Sequence, residues 1–417
     1  MNTAFARVKI TPHLPVQLSG YAKMQVAYEV HDDLYARLFL FEKDGRQLLL
    51  VQLDLAIFDD YLLNLISEKT GIAKENLIVC STHTHSGPGG TIDTYEGLMV
   101  GLDSDIGGCL NPEYCHRIAS DMGAAVHKLQ DELAPCTLRI FRGVVEGLGT
   151  NRHDPDMDCD KNAFVIEVIA GEKKAMIIRM SCHGTVLHEE NLMVSADFPG
   201  AIEPHFTDAY EMVAFINGSA GDMSPRFTRR ECTFEECERL GTLAANQLKE
   251  IMKQPTEVIE DFDLDYRQAV FTVPTRKVDS EDVAREKVEI AKRNLEEGIA
   301  KGLPATEIRL LESYVEGTGN ALLSCRAFGK ISSIDVNVSA WLLPGLTIVF
   351  TPVEMFSVLS NQLREYDLQF VSYTNGFKGY MPDATAYEKN YYEVFSTPYA
   401  CGAGELLMQN IKEWLVK

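Results

Sequence analysis

The sequence predicts an α/β protein with a mixed β-sheet core and flanking helices. Apolar runs of strand length alternate along the chain with amphipathic segments of helical period. Those helical segments also carry the residues that usually begin and end helices. With 417 residues, 46% of them hydrophobic, the chain can bury a large core. We therefore expect a single domain over residues 1–417.

The first third of the chain shows this alternation. Strands are predicted at 34–42 and 48–54, where apolar residues dominate. A helix is predicted at about 59–70, because Asp59 is a favourable N-cap residue and Gly71 follows the last helical position. A second helix is predicted to begin at Asn111-Pro112 and to end near residue 133, since Asn at the N-cap with Pro after it is a strong start signal.

The remaining elements continue the same pattern. A helix is predicted at 234–253, and strands are predicted at 137–145, 163–169, 175–182, 212–216, 334–343 and 346–350. Residues of about 278–316 are highly charged and helical in pattern, and they are not rich in Pro, Gly or Ser. A solvated helical excursion within the domain explains that composition better than a linker does.

Composition excludes several classes of function. The chain has 39 basic and 61 acidic residues, and the resulting net charge of −22 repels nucleic acid and anionic lipid surfaces. No apolar stretch approaches the roughly 20 residues that a membrane-spanning helix needs. The first residues lack the apolar core typical of a signal peptide. We therefore expect a cytoplasmic protein with no nucleic-acid partner and no membrane span.

A pair of histidines marks the first candidate site. His83 and His85 lie two residues apart, where the apolar run 77–80 gives way to a glycine-rich turn. On a strand, residues i and i+2 face the same side, so both imidazoles can enter one pocket. Neutral imidazole is a common metal ligand. Such pairs also occur on strand faces without a metal, so this segment alone leaves both interpretations open.

Other polar side chains follow predicted strands in the same way. His183 ends an apolar strand and is followed at once by glycine. Because α/β folds usually build their sites at one edge of the sheet, His83 and His183 are expected to converge. Arg152, Ser224 and Glu354 also stand near strand ends. Each has a structural alternative: pairing with nearby carboxylates, an ordinary turn and a favourable contact with a helix dipole, respectively.

These motifs together resemble the neutral/alkaline ceramidase family. The resemblance rests on Ser81-Thr-His-Thr-His-Ser-Gly-Pro-Gly-Gly90 with Gly221-Asp-Met-Ser-Pro225 downstream. The other landmarks follow in the family's order over nearly the whole chain. The resemblance implies an α/β catalytic domain with one zinc ion per chain. The family's immunoglobulin-like C-terminal domain is not expected, because the sequence ends at Lys417, shortly after the last landmark.

The resemblance also implies roles for individual residues. The zinc ligands would be His83, His183, Glu354 and Tyr380. The residues that assist catalysis would be Ser224, His85, Arg152 and Tyr392.

The function that the resemblance implies is hydrolysis of the amide bond of N-acylsphingosine, a step of sphingolipid metabolism, by a zinc-activated water. The substrate would be a small N-acyl or lipid-like molecule. Residues 381–391 depart from the threonine-rich segment usual in ceramidases, so two alternatives stay open. One is a cytoplasmic zinc esterase or deacylase acting on a smaller polar or sugar-derived substrate, and the other is an inactive zinc-binding scaffold. The sequence indicates no oligomeric state.

Overall fold

The structure is a computed structural model that describes residues 1–21, 23–93 and 104–416. Its helices are α1 (Asp60–Thr70), α2 (Ser104–Gly107), α3 (Pro112–Asp131), α4 (Asp197–Gly200), α5 (Phe234–Ile251), α6 (Glu281–Ala300), α7 (Ala305–Phe328), α8 (Ser357–Asn361), α9 (Ala384–Lys389), α10 (Tyr392–Ser396) and α11 (Ala403–Leu415). Its strands are β1 (Asn2–Lys9), β2 (Val16–Gln17), β3 (Val26–Ala27), β4 (Glu29–Val30), β5 (Tyr35–Lys43), β6 (Arg46–Leu53), β7 (Leu77–Ser81), β8 (Ala134–Val144), β9 (Thr150–Asn151), β10 (Asn162–Ala170), β11 (Lys173–Met180), β12 (Met193–Val194), β13 (Met212–Asn217), β14 (Met223–Ser224), β15 (Glu257–Ile259), β16 (Asp265–Pro274), β17 (Ser333–Leu343), β18 (Leu346–Phe350), β19 (Glu354–Met355), β20 (Leu368–Val371) and β21 (Tyr380–Met381).

The helix ends confirm the local signals in the sequence. The side chain of Asp59 accepts a hydrogen bond from the Tyr61 amide at the start of α1, and Gly71 ends that helix in the left-handed region with φ of 71°. At the start of α3, the Asn111 side chain accepts from the Tyr114 amide, and Pro112 is the first helical residue. These helices therefore begin and end where their capping residues predict.

Two sheets form the core of the fold. The larger sheet has the strand order β13-β11-β10-β8-β1-β5-β6-β7, with β15 added to β8, and the smaller has the order β16-β17-β18-β20. Both are mixed, because β6–β7, β11–β13 and β18–β20 are parallel pairs in otherwise antiparallel sheets. The larger sheet curves so that its edge strands β13 and β7 contact each other. The predicted fold class, a mixed-sheet α/β core with flanking helices, is confirmed.

Strand β5 shows how the layers are arranged. Leu38 and Leu40 point into a core shared with α1 and α3, whereas Phe39 and Phe41 point into a core shared with Trp341 of the smaller sheet. Successive side chains of a strand face opposite sides, so β5 is buried on both faces and reads as a continuous apolar run. The smaller sheet therefore packs against the larger one, and helices α8 and α11 cover its other face.

The charged excursion is a pair of helices, α6 and α7, packed against each other. It extends to Phe328 rather than to about residue 316, because α7 carries far fewer charged residues than α6 and composition alone does not mark its end. None of the described helices combines the length and the apolar character needed to cross a bilayer. Within the same residues there is no immunoglobulin-like domain. The extent of the single domain stays a prediction.

Gly123 provides a test of the packing between α1 and α3. A Cβ atom at this position would lie 2.3 Å from the carbonyl oxygen of Lys69. We expect Gly123→Ala to lower the free energy of unfolding by about 1–3 kcal/mol, because backbone atoms cannot move aside without strain. Chemical denaturation would measure this.

The matched control is Gly319→Ala in α7, where a Cβ would have no atom within 4 Å. That variant should be neutral or more stable by up to about 1 kcal/mol, since alanine favours the helix over glycine. Equal unfolding free energies for the two variants would contradict the close packing at Gly123.

Candidate functional site

The candidate site lies where strand ends of the two sheets meet. His83 follows β7 and His183 follows β11 of the larger sheet, whereas Glu354 begins β19 shortly after β18 of the smaller sheet. The two histidine loops are joined directly, because Thr84 and Gly184 form an isolated parallel bridge. Three side chains that are far apart in sequence therefore converge on one point.

A carboxylate and two imidazoles form the centre of this cluster. Glu354 Oε2 lies 3.3 Å from His83 Nε2 and 3.2 Å from His183 Nε2, and all three side chains are buried. Burial lowers the pKa of His183 to about 4, so its imidazole is neutral at neutral pH. Burial alone would raise the pKa of Glu354, so its ionised carboxylate needs a positive charge beside it.

Backbone carbonyls determine which nitrogen of each imidazole carries the proton. His83 Nδ1 is 2.9 Å from the carbonyl oxygen of Ala56, and His183 Nδ1 is 2.6 Å from that of Ala220. A carbonyl only accepts, so each Nδ1 donates, and in the neutral imidazole Nε2 then keeps its lone pair.

The donor set fits a divalent metal ion. His183 Nε2 is buried without a hydrogen-bond partner. Two imidazole lone pairs that face a carboxylate repel it unless a cation lies between them. Nitrogen and carboxylate oxygen donors, with the second ring nitrogen bonded to a carbonyl, are the arrangement by which proteins hold zinc.

His85 lies in the same cluster. Its Nε2 is 3.1 Å from His83 Nε2, and ligand atoms of His83, His85 and His183 all lie within 4.8 Å of one another. Burial, with a smaller contribution from the neighbouring His83 and His183, lowers the pKa of His85. His85 thus contacts His83, whereas the Glu354 carboxylate is contacted by His83 and His183. The sequence-based role of His85 as a neighbour rather than a ligand stays a prediction.

Tyr380 and Arg152 lie beside Glu354. Strand β19 pairs with β21 so that Glu354 and Tyr380 are directly opposite each other. Arg152 Nη1 donates to Tyr380 Oη and to the carbonyl of Gly221, both at 3.3 Å. Burial, reinforced by the Glu354 charge, raises the pKa of Tyr380, so its phenol is protonated in this environment.

Ser224 and Tyr392 differ in exposure. Ser224 is buried in β14. That strand pairs with β9, which ends one residue before Arg152. Ser224 Oγ accepts a hydrogen bond from the Arg226 amide at 3.4 Å. Tyr392 begins α10 with 38% of its surface exposed. In contrast to Tyr392, the next residue, Glu393, is buried, and its carboxylate contacts Arg152. The catalytic roles of Ser224 and Tyr392 stay predictions.

Asp222 joins the loops around the site. Its carboxylate accepts hydrogen bonds from the amide and the hydroxyl of Ser357 and from the Asn151 side chain, and its carbonyl accepts from the Arg152 amide. Burial raises the pKa of Asp222 to about 7. These contacts tie the Arg152 and Ser224 loops to the start of α8.

Sequence reasoning missed Tyr373. Its ring stacks on that of His83 with centroids 4.1 Å apart, and its hydroxyl donates to Glu354 Oε2 at 3.4 Å. Both aromatic residues have positive φ, 53° for Tyr373 and 65° for His83, which is rare for bulky side chains and is often found at functional sites. Tyr373 follows β20 (Leu368–Val371), a short strand that the sequence analysis did not predict, so the strand-end signal that marked the histidines was not applied to it.

Comparisons with known proteins agree with this geometry. The family model described as neutral/alkaline non-lysosomal ceramidase, N-terminal, matches residues 6–269. The chain is 24% identical over 242 residues to a neutral ceramidase of Mycobacterium tuberculosis, covering 49% of this chain and 37% of that protein. It is 24% identical over 293 residues to a neutral ceramidase of Pseudomonas aeruginosa, covering 62% and 42%. The chain thus spans less than half the length of these relatives.

Solved structures share the fold. The crystal structure of the Pseudomonas aeruginosa neutral ceramidase matches with a TM-score of 0.74 and 19% identity, covering 98% of this chain and 73% of that one. A ceramidase complexed with C2 matches with a TM-score of 0.71 and 18% identity over the same shares. At this level of identity the likeness concerns the fold.

The geometry of the site predicts that His183 is a metal ligand. We expect the protein to bind about one divalent ion per chain and His183→Ala to lose it, because removing one ligand leaves an incomplete set. Elemental analysis after dialysis would measure the stoichiometry. The control is His127→Ala, since His127 is exposed on α3, away from the cluster. Full metal content in His183→Ala would refute this ligand assignment.

Tyr373 is expected to tune metal affinity without binding the metal. Tyr373→Phe should weaken binding roughly 10- to 100-fold, the range typical of residues that hold a ligand in place. Competition with a chelating dye would measure the change. Tyr210→Phe is the matched control, because Tyr210 Oη donates to the remote Glu167 carboxylate at 2.8 Å. Equal affinities of the two variants would show that the Tyr373 hydroxyl has no such role.

Proposed function

The chain belongs to the neutral/alkaline ceramidase family, and on that basis we propose that it hydrolyses an N-acyl amide bond with a bound divalent metal ion. The observation that supports this most directly is the convergence of two unprotonated imidazole nitrogens on the buried Glu354 carboxylate. The proposed substrates are N-acylated sphingoid bases, because the relatives are named neutral ceramidases.

We propose zinc as the ion, held by His83, His183, Glu354 and Tyr380. Two imidazoles, a carboxylate and a phenol make the nitrogen and oxygen set that zinc accepts in four-coordinate sites. When bound, zinc would lower the pKa of a water molecule and polarise the substrate carbonyl. Hydrogen bonds from the Nδ1 atoms to backbone carbonyls keep both imidazoles oriented for this purpose.

Arg152 supplies a fixed positive charge to the proposed reaction. Burial disfavours the charged guanidinium, but the neighbouring Tyr380 and Glu393 raise the pKa of Arg152, so it stays protonated. A buried cation beside the cluster stabilises the negative charge that develops on a carbonyl oxygen during amide cleavage. Ser224, buried on the strand next to Arg152, would orient that carbonyl or attack it.

His85 is the proposed proton carrier, and its Nε2 is the atom that exchanges the proton. The other ring nitrogen is shielded, because a Cβ at Gly20 would lie only 2.3 Å from His85 Nδ1. Nε2 faces the cluster instead, 3.1 Å from His83 Nε2. Because His83 Nδ1 donates to Ala56, His83 Nε2 accepts in this contact and His85 Nε2 carries the proton. The neutral imidazole can therefore donate that proton to the leaving amine and recover one from water.

A panel of N-acyl amines of graded chain length tests the proposal. We expect kcat/KM to rise roughly fourfold per added methylene until the pocket is full, the factor that corresponds to about 0.8 kcal/mol. Activity should disappear with a chelator and return with zinc. The control panel contains the matching acyl esters.

Each contrary outcome favours a different alternative. Rates that do not depend on acyl length would favour a deacylase of small polar substrates. Hydrolysis of the esters alone would favour an esterase. No hydrolysis in either panel, with zinc bound, would favour a zinc-binding scaffold.

A further inference from the structure

We infer that Glu393 is a positioning residue that holds Arg152 in place for the reaction, an inference that rests on the proposed function. Glu393 lies in α10 and its side chain is only 1% exposed. Glu393 Oε1 is 3.1 Å from Arg152 Nη1, and Glu393 Oε2 is 3.0 Å from His153 Nε2. One buried carboxylate thus spans two consecutive side chains of the loop that follows β9.

A buried guanidinium requires a buried anion nearby. Removing one partner of such a pair leaves an uncompensated charge away from water, which is strongly unfavourable. Glu354 faces the two histidines, and Glu393 is the carboxylate that contacts Arg152 directly. Burial alone would raise the pKa of Glu393, but the neighbouring His153 and the charge of Arg152 lower it. Glu393 is therefore ionised.

The contacts of Arg152 are concentrated on one atom. Its Nη1 donates to Glu393, to Tyr380 Oη and to the Gly221 carbonyl. Its Nε is buried and has no hydrogen-bond partner. By holding Nη1, Glu393 fixes the orientation of the guanidinium plane beside Tyr380.

Glu393 is itself held from two sides. The ring of His153 stacks on that of Tyr391 with centroids 3.7 Å apart and planes within 3°. On the outer side, Arg276 donates to the carbonyls of Val394 and Phe395 at 2.8 and 2.9 Å. Helix α7 of the charged excursion also packs against α10. The excursion therefore supports the segment that carries Glu393.

A double-mutant cycle on kcat/KM tests this role. Glu393→Gln should lower kcat/KM roughly 10- to 100-fold, mainly through kcat, as is typical when a partner that orients a site residue is lost. Metal content should not change. In an Arg152→Ala background, Glu393→Gln should cost less than about twofold, because a residue that acts through Arg152 has nothing left to position.

Glu167→Gln is the matched control. Glu167 is also buried, and its carboxylate pairs with Arg139 at 3.1 Å and accepts from Tyr210 at 2.8 Å, away from the site. Its kcat/KM should stay within about twofold of wild type. If Glu393→Gln does not fold, Glu393→Asp replaces it in the cycle, with a smaller loss expected because the charge is kept.

Two results would overturn the inference. One is an equal cost of the Glu393 substitution with and without Arg152, and the other is a cost no larger than that of Glu167→Gln. If the wild-type protein hydrolyses no substrate, the proposed function is wrong, and kinetics cannot test the positioning role of Glu393. A crystal structure of Glu393→Gln then tests that role. Displacement of the Arg152 guanidinium from Tyr380 Oη would support the positioning role, and an unmoved guanidinium would refute it.

Discussion

Two imidazole lone pairs face a single buried carboxylate oxygen, and the chemistry of the site depends on how that arrangement is stabilised. The backbone carbonyls of Ala56 and Ala220 accept the Nδ1 protons of His83 and His183, so neither Nε2 atom can donate to Glu354. The three groups are buried, which removes water as a partner. A divalent cation between them would convert this repulsion into attraction, and on that ground we propose that these residues bind a metal ion.

The fold meets this constraint by bringing distant strand ends together. Curvature of the larger sheet brings its edge strands β13 and β7 into contact, and the bridge between Thr84 and Gly184 joins the loops that carry the two histidines. The smaller sheet packs on the same core and supplies Glu354 and Tyr373 from loops after its parallel strands β18 and β20. Tyr373 then stacks on His83 and donates to Glu354, so one side chain contacts proposed ligands from both sheets.

Around this centre, the charges of neighbouring groups are paired. Arg152 contacts both Tyr380 and Glu393 through Nη1, so a largely buried cation stands beside the cluster without an uncompensated charge. Glu393 belongs to α10, which α7 of the charged excursion supports from outside. The charged excursion has the composition of a solvated surface feature. Through its contact with α10, it nevertheless contributes to the geometry of the site.

Local signals in the sequence determined the helices, the strands and the candidate site residues. Which side chains contact those residues was decided only by the tertiary structure. Capping by Asp59 and Asn111 depends on atoms a few residues away, so α1 and α3 could be predicted closely. The strand-end positions of His83 and His183 were visible for the same reason. The contact of β13 with β7, and the roles of Tyr373 and Glu393, depend on packing between segments hundreds of residues apart. Periodicity and capping carry no record of such contacts, because a buried tyrosine or glutamate looks the same in sequence whether its partner is a ligand, an arginine or water.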